Sequence, residues 1–303
     1  MRVLVTGASG LIGSTVCDAV LARGDEVVGL SRDPERARNT NPTVNWHSWE
    51  PTMERPPAEA FEAVDGVIHL VGESINQRWT DDAKRRILES RTAGTHNLVQ
   101  AIGALERKPR VLVSQSAVGY YGDRGEAIVD ESAPPGSGFA ADVPVEWERA
   151  AHEADDLPIR LVILRTAPVL DPREGLIKEL LIPFKLGVGG PIAGGRQYLP
   201  WIHIDDEVAM LLWALDDERV TGTINAASPN PVTNREFSKA LGRALNRPAL
   251  MPVPGFAVSL MRGRELAETV KGGQRVIPRR ALDLGYSFQH PELEPALKDL
   301  LRK

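Results

Sequence analysis

The chain has 303 residues, a formal net charge of −5 and one cysteine, Cys17. Hydrophobic and charged fractions of 42% and 25% are those of a soluble globular protein, and the length allows one large domain or two modest ones. There is no long basic run to indicate a nucleic-acid face, no apolar run near the roughly 20 residues of a membrane helix, and no second cysteine for an intrachain disulfide. With an N-terminus that enters a strand directly, the expected location is the cytosol.

The chain opens on Arg2-Val3-Leu4-Val5-Thr6, breaks at Gly7, Gly10 and Gly13, and resumes over Ser14 to Arg23 with Val16, Ala19 and Val20 at helical spacing. Strand, tight turn and helix in that order are what a dinucleotide's pyrophosphate needs. It must approach bare amides at a helix N-terminus, and any Cβ there obstructs the turn, the phosphate or the helix packing. A plain strand-to-helix turn is the competing reading. The expected contacts are Gly7, Ser9, Gly10, Leu11, Ile12 and Gly13.

A second strand, Glu26 to Leu30, ends in Ser31-Arg32-Asp33. An acid just past this strand accepts from a ribose hydroxyl, whereas an arginine pairs with a 2′-phosphate, so Arg32 points to NADP(H), a solvated arginine at a strand end being the alternative. Asp33-Pro34 starts a short helix to Arg38, and a strand is expected near Val44 to His47. Ala63 to Gly72 reads as a turn and a buried strand whose end, Leu70 to Gly72 with Glu73, lies beside the first glycine loop.

A long helix runs from about Thr80 to Gly103, with Thr80 as cap and Asp81 and Asp82 suiting its dipole. Arg110 to Ser114, a helix over Val145 to Ala154, and Ile159 to Arg165 follow, so strands alternate with helices as in a parallel, doubly wound sheet. Glycines crowd the interval between Ala167 and Leu199; Trp201 to Asp206 leads into a helix, Glu207 to Leu215, and Gly222 to Ala226 returns a strand. Further helices are joined at Pro248, Pro252, Pro254, Pro278 and Pro291.

In such sheets ligands bind beyond the strand C-termini, where Ser114-Gln115-Ser116-Ala117-Val118-Gly119-Tyr120-Tyr121-Gly122 stands. A serine hydroxyl and a phenol beside a nicotinamide can hydrogen-bond a substrate carbonyl and relay its proton. Ser116, Tyr120 and Tyr121 are therefore the candidate catalytic groups, with Ser114 at the cofactor; a polar turn with aromatic packing is the alternative. The six histidines show no metal-ligand spacing, so no metal is expected. Asp205 reads as a helix cap and His203 as a strand residue.

The glycine pattern, Arg32, the serine-rich strand end with Tyr-Tyr-Gly, and Gly94-Thr95-His96-Asn97-Leu98 resemble an extended short-chain dehydrogenase/reductase. Gly72-Glu73-Ser74-Ile75, Arg78-Trp79-Thr80, Ser90-Arg91, Gly194-Gly195-Arg196-Gln197, Trp201 to Asp206, Pro231-Val232-Thr233-Asn234 and Gly272 to Val276 are similar to an atypical subfamily from Met1 to about Leu301. Its members are labelled epimerase family protein, nucleoside-diphosphate-sugar epimerase or cell-division inhibitor.

The resemblance implies a Rossmann-type domain over residues 1–166, with 201–228 returning to it. A smaller C-terminal substrate domain would come from 167–200 and 229–303. Departures from the family pattern are equally marked. Phe139 and Val143 stand at the spacing of the family's proton-transferring Tyr and its Lys, and Arg91 stands for an Asn, leaving Ser116 of four catalytic positions. Arg91 is then a candidate for pairing with a cofactor phosphate or a substrate carboxylate. Two functions fit: an NADP(H)-dependent oxidoreductase or epimerase acting on a small molecule such as a sugar nucleotide or carbonyl compound, or an NADP(H)-binding regulatory or scaffold protein without turnover. Oligomeric state is not readable.

Overall fold

The computed structural model describes residues 1–253, 256 and 263–302. Near-continuous apolar runs make the strands β1 (Arg2–Thr6), β2 (Glu26–Ser31), β3 (Asn45–Ser48), β4 (Gly66–His69) and β5 (Val111–Ala117). After the two-residue β6 (Ile128–Val129) come β7 (Arg160–Thr166), the short β8 (Val169–Leu170), β9 (Tyr198–Leu199) and β10 (Ile202–His203), and then β11 (Gly222–Ala226). One seven-stranded sheet takes the order β11-β7-β5-β4-β1-β2-β3, with every neighbouring pair parallel. This is a Rossmann-like α/β fold. Strands covered on both faces need apolar residues at odd and even positions alike, which is why they read as runs rather than alternations.

Helices α1 (Leu11–Ala22), α2 (Pro34–Thr40), α3 (Asp81–Ala104), α4 (Phe139–Ala151), α5 (Gly175–Lys185), α6 (Ile204–Asp216) and α7 (Asn234–Ala244) follow the strands. α1 and α6 pack together on one face, over Val3, Val5, Val113 and Val162. α3 and α4 pack on the other, and Leu98 and Ile102 of α3 cover Leu4, Val67, Leu112 and Ile163.

Several boundaries shift. Phe139, not Val145, opens α4, because Gly138 at φ 88° turns the chain into the helix and Pro144 is accommodated inside it. Helix α6 starts at Ile204, and its cap is the His203 side chain, which accepts from the Asp205 amide at 3.0 Å. Asp205, expected as the cap, sits instead in the first turn. Thr80 caps α3 as expected, accepting from Ala83 N at 3.2 Å.

Beyond β7 the chain adds small pieces. β9 pairs antiparallel with β12 (Val232–Thr233), and β6 pairs parallel with β13 (Arg275–Val276). The helices Arg264–Lys271, Arg279–Asp283 and Leu293–Arg302 close the described chain. Pro254, one of the expected joints, lies outside the described residues.

Candidate functional site at the strand C-termini

The turn after β1 is shaped by two glycines. Gly7 holds φ 64°, and a Cβ on it would lie 2.9 Å from Leu70 O; a Cβ on Gly13 would lie 2.2 Å from Gly7 O. Gly10 is different: only Gly7 O, at 3.3 Å, would be near its Cβ, so the space above it is open. No side chain caps α1 and no acid stands in its first turn, so its N-terminal amides face outward with the positive end of the helix dipole. Ser9 is exposed at the rim, and Leu11 and Ile12 are half-buried. The loop is a cradle that an anion fits and that a Cβ on Gly10 would partly fill.

A buried histidine locks this turn to its neighbours. Thr6 Oγ1 accepts from Leu70 N at 3.1 Å and shares a hydrogen bond with His69 Nδ1 at 2.7 Å, while the ring's Nε2 lies 2.9 Å from Thr95 Oγ1. Burial pushes His69 down to about 3, so the ring is neutral. β1, β4 and α3 are thereby held at a fixed separation beneath the loop.

At the end of β2 the Asp33 carboxylate accepts from Arg36 N at 3.0 Å as the cap of α2. The acid is engaged with its own helix, while Arg32 is exposed beside it, with Arg36 and Arg38 following.

Past β4, Arg91 reaches across to Gly72 and Glu73: its Nη1 donates to Glu73 O at 2.9 Å and Ile87 O at 3.0 Å, and its guanidinium lies 5.0 Å over the Trp147 ring. Burial pushes Arg91 down to about 10. Ser90 Oγ accepts from Glu73 N at 2.9 Å, so α3 braces Gly72 and Glu73 with two consecutive side chains.

The three candidate catalytic groups meet in one buried network. Ser116 Oγ donates to Glu148 Oε1 at 2.6 Å, and Arg165 clamps both oxygens of that carboxylate at 2.8 and 2.7 Å. Arg165 Nη1 donates to Tyr121 Oη at 3.0 Å, and Tyr121 donates onward to Asn225 Oδ1 at 2.6 Å. Tyr120 lies beneath the same guanidinium, 3.4 Å from ring centroid to Cζ. Strand register produces this: Ser116 pairs with Arg165, and Arg165 with Asn225, across β5, β7 and β11. Burial pushes the Tyr121 phenol up to about 12. Ser114 Oγ is buried without a hydrogen-bond partner among the described residues. Phe139 sits edge-on to Trp79 at 5.0 Å, with the Lys84 ammonium 5.4 Å from its ring.

Sequence reading did not single out Glu148, Asn225 or Glu207, and took Arg165 only as a strand end. The one signal was a charged residue closing an apolar strand, Leu164-Arg165-Thr166. Glu207 on α6 is fully buried, accepts from Thr166 Oγ1 at 2.9 Å, and is pushed up to about 8 by burial.

With this geometry in place, comparison with known proteins assigns the class. The model of the NAD dependent epimerase/dehydratase family matches residues 3–227, and one described as a domain of unknown function (DUF1731) matches residues 253–300. The chain belongs to the NAD dependent epimerase/dehydratase family. Within it the relatives include the mouse epimerase family protein SDR39U1, 39% identical over 99% of this chain and 100% of the relative. Epimerase family protein YfhF of Bacillus subtilis is 32% identical over 99% and 98%. The human SDR39U1 isoform 2 crystal structure with NADPH superposes with TM-score 0.91 at 36% identity, over 100% of both chains. A UDP-glucuronic acid 4-epimerase from Bacillus cereus, at 19% identity and TM-score 0.79 over 100% and 99%, shares the fold. Among the described residues no helix is long and apolar enough to cross a membrane.

Proposed function

We propose that this protein binds NADP(H) across the C-terminal ends of β1, β2, β4 and β5 and acts as an oxidoreductase or epimerase-like enzyme on a small molecule. The observation that carries the reading is the cradle formed by Gly7, Gly10 and Gly13 beside Arg32, with Asp33 turned into a helix cap. The amides of Leu11, Ile12 and Gly13 would hold the pyrophosphate, and Arg32 the 2′-phosphate. Leu70, Gly72 and Ser114 would border the nicotinamide half, with Glu73 and Arg91 bracing that border. Bound NADPH supplies hydride; the protein's part is to hold it, orient it and exclude water. A carbonyl compound or sugar nucleotide is the proposed substrate class, carried by residues 167–200 and 229–303, and the cytosol the proposed location.

A second reading, cofactor binding without turnover, is supported by one specific observation. The hydroxyls of Ser116 and Tyr121 donate within the buried network, and Phe139 cannot titrate. The test is a fluorescence titration with NADPH and NADH, followed by NADPH oxidation against carbonyl substrates and by exchange at the sugar carbons of nucleotide sugars. Tight NADPH binding with turnover supports the enzyme. Tight binding with no turnover on either substrate set supports the regulatory reading, and no binding of either cofactor overturns both.

A further inference from the structure

Two histidines and two aspartates from separate parts of the chain converge where the helix Leu293–Arg302 meets the start of α6. His203, Asp205, His290 and Asp299 each offer a ligand atom, all within 4.8 Å of one another. His290 Nε2 lies 3.6 Å from Asp205 Oδ2, and His203 Nε2 lies 3.7 Å from Asp299 Oδ2. The two imidazoles stack, with centroids 3.7 Å apart and planes at 21°.

We propose that Asp205, His290 and Asp299 form a Zn²⁺ site, with His203 as its floor rather than a ligand. The hydrogen-bond pattern separates these roles. His203 Nδ1 accepts the Asp205 amide proton at 3.0 Å, so the neutral ring carries its proton on Nε2 and offers no lone pair unless the α6 cap is broken. His290 is under no such constraint from a cap, and the stack on His203 fixes its plane. Metal–ligand bonds of about 2.0–2.2 Å put tetrahedral donors roughly 3.4 Å apart. The His290–Asp205 pair is already near that spacing, and the side chains of Asp205 and Asp299 are 37% and 42% exposed, at the surface rather than in a core. One imidazole favours zinc over calcium or magnesium, two carboxylates balance its charge, and water completes the shell. The ion would clip the terminal helix to the first turn of α6, independently of any nucleotide.

The experiment is calorimetric titration of the chelator-stripped, full-length protein with ZnCl₂, together with thermal melts with and without zinc. One saturable equivalent per chain and a raised Tm are expected, and Asp299→Asn and His290→Gln should each weaken binding at least about tenfold. No saturable uptake by the unaltered protein, or equal uptake by it and both folded variants, overturns the site. Because the unaltered protein gives the stoichiometry, the test stands even if a variant fails to fold.

Discussion

The Ser116 hydroxyl donates to the Glu148 carboxylate at 2.6 Å, and that carboxylate is held on both oxygens by Arg165. A serine expected to face a substrate is therefore bound into the interior, where its proton serves a buried ion pair. Ser116→Ala removes one of three bonds to Glu148 and leaves the arginine clamp in place. The expected cost is about 1 kcal/mol, a fall in Tm of a few degrees, with NADPH affinity unchanged. Thermal melts and nicotinamide fluorescence check it; an unchanged Tm accompanied by lost turnover would return Ser116 to the chemistry.

The glycine loop makes two substitutions diverge. A Cβ on Gly13 would sit 2.2 Å from Gly7 O, so Gly13→Ala forces the backbone apart and is expected to cost the fold at least about 2 kcal/mol. Gly10→Ala meets only Gly7 O, at 3.3 Å, and is expected to fold with near-normal stability while binding NADPH weakly. Urea denaturation paired with cofactor titration separates the two; equal effects of both changes on stability would refute the distinction.

Arg32 is exposed at the end of β2, whereas Asp33 is bonded to Arg36 N. Arg32→Ala is expected to weaken NADPH by about tenfold or more, in line with the loss of a charge-assisted contact, and to leave NADH within about twofold. Titrations at two salt concentrations check this, and parallel loss for both cofactors would remove Arg32 from the 2′-phosphate site.

Burial pushes Glu207 up to about 8 from an ordinary 4.5. Between those values the folded chain keeps a proton that the unfolded chain has released, so this contribution is full at low pH and is lost as pH rises through 8. His69 works oppositely: pushed down to about 3 from 6.5, it makes stability rise with pH over that window. Their slopes oppose one another between pH 4.5 and 6.5, and of the two only Glu207 acts above it. Glu207→Gln, which keeps an acceptor for Thr166, is expected to flatten the decline in stability from pH 6.5 to 8. Urea midpoints across that range measure it, and a decline identical to that of the unaltered protein would exclude Glu207 as its source.

Legibility from sequence followed the range of the forces involved. Arg2 to Gly13, Asp33-Pro34 and Thr80-Asp81-Asp82 announce themselves because turns, caps and helix dipoles act within a few residues, and the parallel sheet because strands covered on both faces must be apolar throughout. The network joining Ser116, Glu148, Arg165, Tyr121 and Asn225 is set by strand register and by the seating of α4, which bring together residues as much as 109 positions apart. The capping role of His203 and the meeting of Asp205, His290 and Asp299 depend on where the terminal helix docks. Local chemistry determined the glycine-shaped turn after β1 and the arginine that follows β2. Only packing decided which hydroxyls are turned inward, because a side chain's partner across a sheet is a property of three dimensions and leaves no spacing in one.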